Sequence, residues 1–347
     1  MKHFAKKLVS LTLGILLVFS LAGCGSGTTS STPSSSASNK PSEAKLKVAL
    51  LLPGPISDNG WNASAYQGLK DAEAKLGVEG SYVENVAQSD QLSKFRSYAQ
   101  QGYDVVMGHG FEFGDAAQTV AKEFPKIKFI VTSSDITAEP NLGSLNVVSQ
   151  QAGFLGGAVA ALLTKSGKVA DVGGMEIPPI QTFLKGFKQG VKYVNSKTGK
   201  NVQALGALTG SFDDVAKNKE MAKTFINQGA DVILGDADQA SAGIIQAAQQ
   251  SKVLALGVGG NQTDLAPDTV VASTLRSMPV AIEFLIKTIK EGQWKPAYYP
   301  VGINENACRI EWNPKLQDKL SEQDRKLVDQ IIADFKAGQI DLSKLPE

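Results

Sequence analysis

From Leu46 onward, short apolar runs rich in β-formers alternate with stretches of helical periodicity, and this alternation constrains the chain more than any other feature. It is the signature of βαβ units and parallel sheets, so an α/β architecture is expected. Strands are expected near residues 46–52, 81–86, 104–108, 127–132, 145–148, 169–173, 202–208, 231–235, 253–258, 270–275 and 298–303. Helices are expected near 61–76, 90–101, 115–124, 152–164, 180–194, 214–228, 241–250, 280–290 and 315–337. With 347 residues the chain is too long for one ordinary core, and two domains follow.

An internal echo supports two similar lobes. Residues 101–108 (QGYDVVMG) align with 228–235 (QGADVILG), each copy ending a helix at Gly, running through a strand and opening a loop at a second Gly. Ligands of open parallel sheets collect outside the carboxyl ends of the strands, so two such sheets facing each other form a cleft lined by the loops beginning at Pro53, His109, Ser133, Gly174, Thr209, Asp236, Gly259 and Arg276.

The first of these loops carries Asp58, Asn59, Gly60, Trp61 and Asn62 at the start of a helix. Asp58 or Asn59 serves there as helix cap or as ligand contact, and Trp61 offers a flat face to an aromatic ligand or packs in the core. The loop from Gly108 to Asp115 has three glycines around His109 and Phe111, but neither dinucleotide spacing nor the Lys-Ser/Thr of a phosphate loop, so nucleotide phosphates are not expected. Its glycines let the chain turn close to a ligand, with His109 either donating to it or capping the turn. Across the cleft, Phe183 opens a helix. It is either a core residue in line with Phe187 or a second ring that sandwiches a planar group against Trp61. Asp236, Asp238, Gln239 and Asn261 supply polarity. Arg276 stands where the chain crosses between lobes, as a ligand donor or as an interlobe ion pair.

Charge and chemistry narrow the function. Lys+Arg 35 against Asp+Glu 34 gives +1, which suggests neither a nucleic-acid nor an anionic-membrane binder. Two His, one of them His3, leave His109 as the only imidazole of the folded part, which excludes a His-rich zinc site and gives Ser-His-Asp or Cys-His-Asn catalysis no positive support. No metal, cofactor or catalytic residue is expected; a small neutral ligand suits the balance better.

The N-terminus reads as an address. Lys2, Lys6 and Lys7 precede an apolar run from Leu8 to Ala22, short of the roughly 20 residues of a spanning helix, and the run ends in Leu21-Ala22-Gly23-Cys24. Small residues directly before Cys resemble a bacterial lipobox, implying cleavage after residue 23 and diacylation of the Cys24 sulfur. In residues 25–42, 11 of 18 are Ser or Thr, a composition that cannot bury enough apolar surface to fold and reads as a tether. Loss of residues 1–23 leaves a net −2, and leaves Cys308 without a disulfide partner, as expected of a small buried hydrophobe.

Several blocks together resemble the basic membrane protein family, the purine-nucleoside-binding lipoproteins of ABC uptake systems. These are Asp58-Asn59-Gly60-Trp61-Asn62, Gln151-Ala152-Gly153-Phe154-Leu155-Gly156-Gly157, Gly173-Gly174 with Pro178, Phe183-Leu184-Lys185-Gly186-Phe187, and Gly210-Ser211-Phe212-Asp213. The resemblance implies the type I periplasmic-binding-protein fold, two Rossmann-like lobes joined by three crossings, near Val148, Val270 and Tyr298. The expected organisation is therefore a signal peptide over 1–23, a tether over 24–44, a first lobe from 45–148 plus 271–297, and a second from 149–270 plus 298–347. It also implies a monomer, held at the extracytoplasmic face of the membrane, that delivers its ligand to permease and ATPase subunits. The implied ligand is a purine stacked between Trp61, where Phe is usual, and Phe183, with polar contacts from Asp58 and Asn59. The chain departs from the family pattern at Gly259, where an acidic residue is expected to bind ribose hydroxyls, at Arg276 for Lys, and at Thr132-Ser133 where Asp is common. With that carboxylate gone, a nucleobase or another planar heterocycle rivals a nucleoside. The same fold binding a sugar or flavin, or serving as a ligand sensor for a membrane signalling protein, is the alternative.

Overall fold

The computed structural model describes residues 44–58 and 60–346. The expected leader, Cys24, nearly all of the tether and Asn59 lie outside the described residues. Two six-stranded sheets carry the described part. The first is built from β1 (Lys47–Leu51), α1 (Trp61–Leu76), β2 (Glu79–Val83), α2 (Gln91–Gln100), β3 (Val105–Gly108), α3 (Gly114–Glu123), β4 (Lys128–Thr132) and β5 (Leu142–Val147). The chain then passes through α4 (Ser149–Leu163), β6 (Lys168–Gly173), α5 (Pro178–Thr198), β7 (Gln203–Leu208), α6 (Val215–Asn227), β8 (Val232–Asp236), α7 (Ser241–Ser251), β9 (Leu254–Gly259) and β10 (Val270–Arg276). It closes with α8 (Met278–Lys290), β11 (Tyr298–Val301), β12 (Cys308–Trp312) and α9 (Glu322–Lys336).

The sheet orders are β11-β5-β4-β3-β1-β2 and β12-β10-β9-β8-β6-β7, parallel throughout except for the antiparallel pair of β10 with β12. Central strands are apolar on both faces, as burial under helices on each side requires: β3, β8 and most of β1 and β10 are buried along their length. The edge strand β2 keeps exposed Glu79 and Tyr82.

Two of the three crossings lie elsewhere than expected. β10 pairs with β9 and β12, so it belongs to the second sheet, and the chain returns to the first lobe only after Arg276. β11 pairs with β5 at the edge of the first sheet, so the last crossing follows Val301 rather than preceding Tyr298. The reasons are local. Val270–Leu275 is buried along its length and needs a strand on each side, whereas Pro300 lacks an N–H and is tolerated only at an edge. β12 has no counterpart among the expected strands. The expected single helix over 315–337 is broken as well: a 3₁₀ turn at Pro314–Lys319 gives way to α9, whose start is capped by the Ser321 side chain accepting from the Asp324 N–H.

The crossings are laced together. Val148 N–H donates to the Val301 carbonyl (3.0 Å), Ser277 N–H to the Ala307 carbonyl (2.8 Å), and Ile303 N–H to Gln151 Oε1 (2.8 Å). The buried Cys308 thiol lies 3.5 Å from the Val148 carbonyl, and burial pushes its pKa up to about 12, so it is a packed hydrophobe at the hinge.

Behind the hinge, α4 is apolar all round and buried over 13 of its 15 residues, packed on α5. Glycines set their separation. A Cβ at Gly153 or Gly157 would run into the Phe183 or Phe187 carbonyl, and one at Gly186 or Gly190 into the Gln150 or Phe154 carbonyl. The two backbones touch at four points, spaced about one turn apart along each helix.

Candidate functional site

The loop after β1 is organised by one carboxylate. Asp58 Oδ1 accepts from Gly60 N–H (3.0 Å) and Ala63 N–H (2.9 Å), and Oδ2 from the Asn62 N–H and Nδ2 (both 2.8 Å). Burial works to raise its pKa, but the backbone donors of Gly60, Ala63 and Asn62 and the Asn62 amide together hold it below the usual carboxylate range. Asn62 in turn accepts from Gly54 N–H (3.2 Å). Both side chains are thus committed to capping α1 and folding its loop.

That cap sets Trp61 at the first helical position, 37% exposed. Its indole stacks on His109, with centroids 4.0 Å apart and planes inclined by 24°. His109 is fully buried; Nε2 lies 3.1 Å from the Trp61 carbonyl and Nδ1 2.9 Å from Thr132 Oγ1. A carbonyl can only accept, which assigns the proton to Nε2 and makes Nδ1 the acceptor of the Thr132 hydroxyl. Thr132 Oγ1 accepts from Gly110 N–H (3.0 Å). Desolvation pulls the imidazole pKa down to about 3, against the Trp61 carbonyl and Asp58, so His109 is neutral and its one N–H is taken by the Trp61 carbonyl.

The opposite wall belongs to Arg276. It ion-pairs with Asp236 at the end of β8, donates through Nη1 to Ser149 Oγ at the start of α4 (3.3 Å), and lies 5.4 Å from the centroid of Phe183. Asp236 is buried with Oδ2 unpartnered, and desolvation raises its pKa against the pull of Arg276. On the adjacent strand β6, two residues before Gly173, the register partner of Asp236, Asp171 is fully buried with neither oxygen hydrogen-bonded; burial and the nearby Asp236 drive its pKa well above the usual carboxylate range.

Between these walls lies a cavity of ≈ 30 Å³ lined by Trp61, Ser133, Val147, Ser149, Pro179, Arg276 and Met278. Ser133 is held in the left-handed region at φ 52°. The second lobe reaches the first here: Asp238 sits against Gly60, where a Cβ would strike its carboxylate. Desolvation at this contact, with Asp58 and Asp236 nearby, pushes the Asp238 pKa up to about 6.

Of the residues proposed from sequence, the fold brings Trp61, Ser133 and Arg276 to the cavity and Asp236 directly behind it. Phe183 corrects the expected sandwich: its ring is sealed in the core, in line with Phe187 on the buried face of α5, and Arg276 and Pro179 stand where it was to face the ligand. Phe111 is exposed on a 3₁₀ turn, and Asn261 is exposed and accepts from Thr263 N–H (3.1 Å); neither lines the cavity. Gly259 has φ 88° and open space around it, so no group stands where a ribose-binding carboxylate was expected. Val147, Ser149 and Met278 were missed because they flank crossings rather than open strand-end loops. Pro179 was passed over for the larger Phe183 in the same loop.

Comparison with known proteins agrees with this architecture. Residues 45–340 match the Bmp family model, described as ABC transporter substrate-binding protein, PnrA-like. An uncharacterised lipoprotein of Pyrococcus abyssi is 31% identical over 307 residues, covering 85% of this chain and 74% of its own. The ABC transporter nucleoside-binding protein BmpA of Lactococcus lactis subsp. cremoris is 28% identical (83% and 86% covered), and a purine-binding protein of Brucella abortus 27% (86% and 83%). The crystal structure of an ABC transporter solute-binding protein from Aeropyrum pernix K1 superimposes with a TM-score of 0.72 at 23% identity, over 85% of this chain and 92% of that one, which shows the shared fold.

Proposed function

The chain belongs to the PnrA-like family of ABC transporter substrate-binding proteins, which bind solutes rather than turn them over, and from that premise we propose that it captures a small planar heterocycle, a purine nucleobase or nucleoside, between its two lobes and delivers it to an ABC permease. The observation that carries this reading is the Trp61 indole, backed on one face and bordering a cavity closed on the far side by Arg276. A flat, half-exposed ring opposite a guanidinium suits a planar group with hydrogen-bond acceptors at its edge.

The closed-up cavity is far smaller than the roughly 300–1,000 Å³ of ligand sites, so capture requires the lobes to part about the three crossings. Ligand contacts made from both sides then favour the closed form, and the permease reads that form. The open space at Gly259 favours the base over the nucleoside, because ribose hydroxyls find no carboxylate there. A sugar is disfavoured for a related reason: Asp236 is buried and ion-paired with Arg276, and Asn261 is engaged by its own turn. By analogy with relatives named lipoproteins, the body hangs from a lipid on Cys24 at the outer face of the membrane.

Isothermal titration of the protein, unfolded and refolded to free it of carried-over ligand, against adenine, guanine, hypoxanthine and their nucleosides tests the proposal. Binding of bases, with weaker binding of nucleosides, is expected. Equal or tighter nucleoside binding removes the argument from Gly259, and no binding across the panel refutes the purine reading.

A further inference from the structure

Trp61 is gripped twice by the same imidazole. His109 lies flat against the indole at 4.0 Å and also takes the carbonyl of the same residue at 3.1 Å. The imidazole is itself fixed. Its other nitrogen holds Thr132, and Thr132 is held by the N–H of Gly110, whose φ of 125° is one that only glycine readily adopts. With one face covered, the indole can offer a ligand only the other, and both of the imidazole nitrogens are spent. We propose that His109 is a positioning residue for ligand capture: without touching the ligand, it locks the Trp61 ring in the orientation that a planar heterocycle stacks on, making a three-layer stack of imidazole, indole and ligand. This rests on the proposed capture of a planar heterocycle. A ring held in place before the ligand arrives spares the ordering cost that a free indole incurs at binding, and loss of the stacked support is expected to weaken binding roughly tenfold.

The chain has three tryptophans, so Trp294→Phe with Trp312→Phe leaves Trp61 as the sole indole. In that background, time-resolved fluorescence anisotropy without ligand reports the freedom of the ring, and quenching by hypoxanthine and inosine reports binding. His109→Phe keeps a flat ring without hydrogen bonds; His109→Gln keeps polar reach without a ring.

The expected result is slow ring motion in the parent and in His109→Phe. His109→Gln is expected to show a fast component and roughly tenfold weaker quenching affinity. Rescue by Gln but not by Phe would assign His109 to loop hydrogen bonding and overturn the proposal, as would parent-like behaviour of both variants. Should neither variant fold by circular dichroism, the parent still decides, because a large fast component there shows an unheld ring. If neither purine alters Trp61 emission in a parent whose ring is held, the heterocycle reading fails and the His109–Trp61 clamp stands as a feature without that ligand.

Discussion

Acidification from pH 7 to pH 5 is expected to cost the fold about 2 kcal/mol through His109 alone. In the unfolded chain the imidazole titrates at its ordinary 6.5; in the folded protein, burial takes it down to about 3. The folded state therefore binds fewer protons, so the stabilisation is complete above pH 6.5 and is lost as pH falls. The slope approaches about 1.4 kcal/mol per pH unit and the loss totals about 4 kcal/mol by pH 3. Urea denaturation of the parent and of His109→Phe at the two pH values isolates the effect. Asp171 and Asp238, whose carboxyls are pushed up, oppose it, but they do so in both proteins and cancel in the comparison. The parent should lose about 2 kcal/mol more than the variant on going to pH 5. Equal losses would refute a neutral, desolvated His109.

Further substitutions probe the ion pair, the helix contact and the cap of α1. Arg276→Met strips a buried carboxylate of its partner and is expected to destabilise by about 3 kcal/mol in denaturant titration, with Arg276→Met/Asp236→Leu recovering most of that. Gly157→Ala drives a methyl into the Phe187 carbonyl and is expected to cost about 1–3 kcal/mol or more, whereas Gly260→Ala, facing open space, should stay within about 0.5 kcal/mol. Asp58→Ala removes the cap of α1 and is expected to cost about 1–2 kcal/mol, seen as a lower denaturation midpoint.

The alternation of strand and helix was legible because its causes are local. The expected α1 matches its observed span, and both copies of the helix-Gly-strand echo sit at equivalent joints of the two sheets. Sheet membership was not legible, since periodicity gives a strand's faces but not its neighbours. Val270–Arg276 and Tyr298–Val301 could be exchanged between lobes without altering a single pattern, although Pro300 was a usable sign of an edge. At the site, Trp61 and Arg276 could be found from their place at strand ends. The role of His109 could not, because stacking on Trp61 joins residues 48 apart through a loop whose course depends on Gly110. Phe183 misled because residues in the first turn of a helix face either way, and the companion Phe187 carried the deciding information.

The four glycine contacts between α4 and α5 have a mechanical corollary. Ser149 at the hinge and Pro179 at the cavity wall begin these two helices, and helices whose backbones touch cannot slide or splay without breaking hard contacts. The second lobe is therefore a stiff lever whose fulcrum and jaw are cut from one piece. Little of any force applied at the jaw is absorbed as internal flexing, and a small rotation at the crossings arrives undiminished at the outer rim.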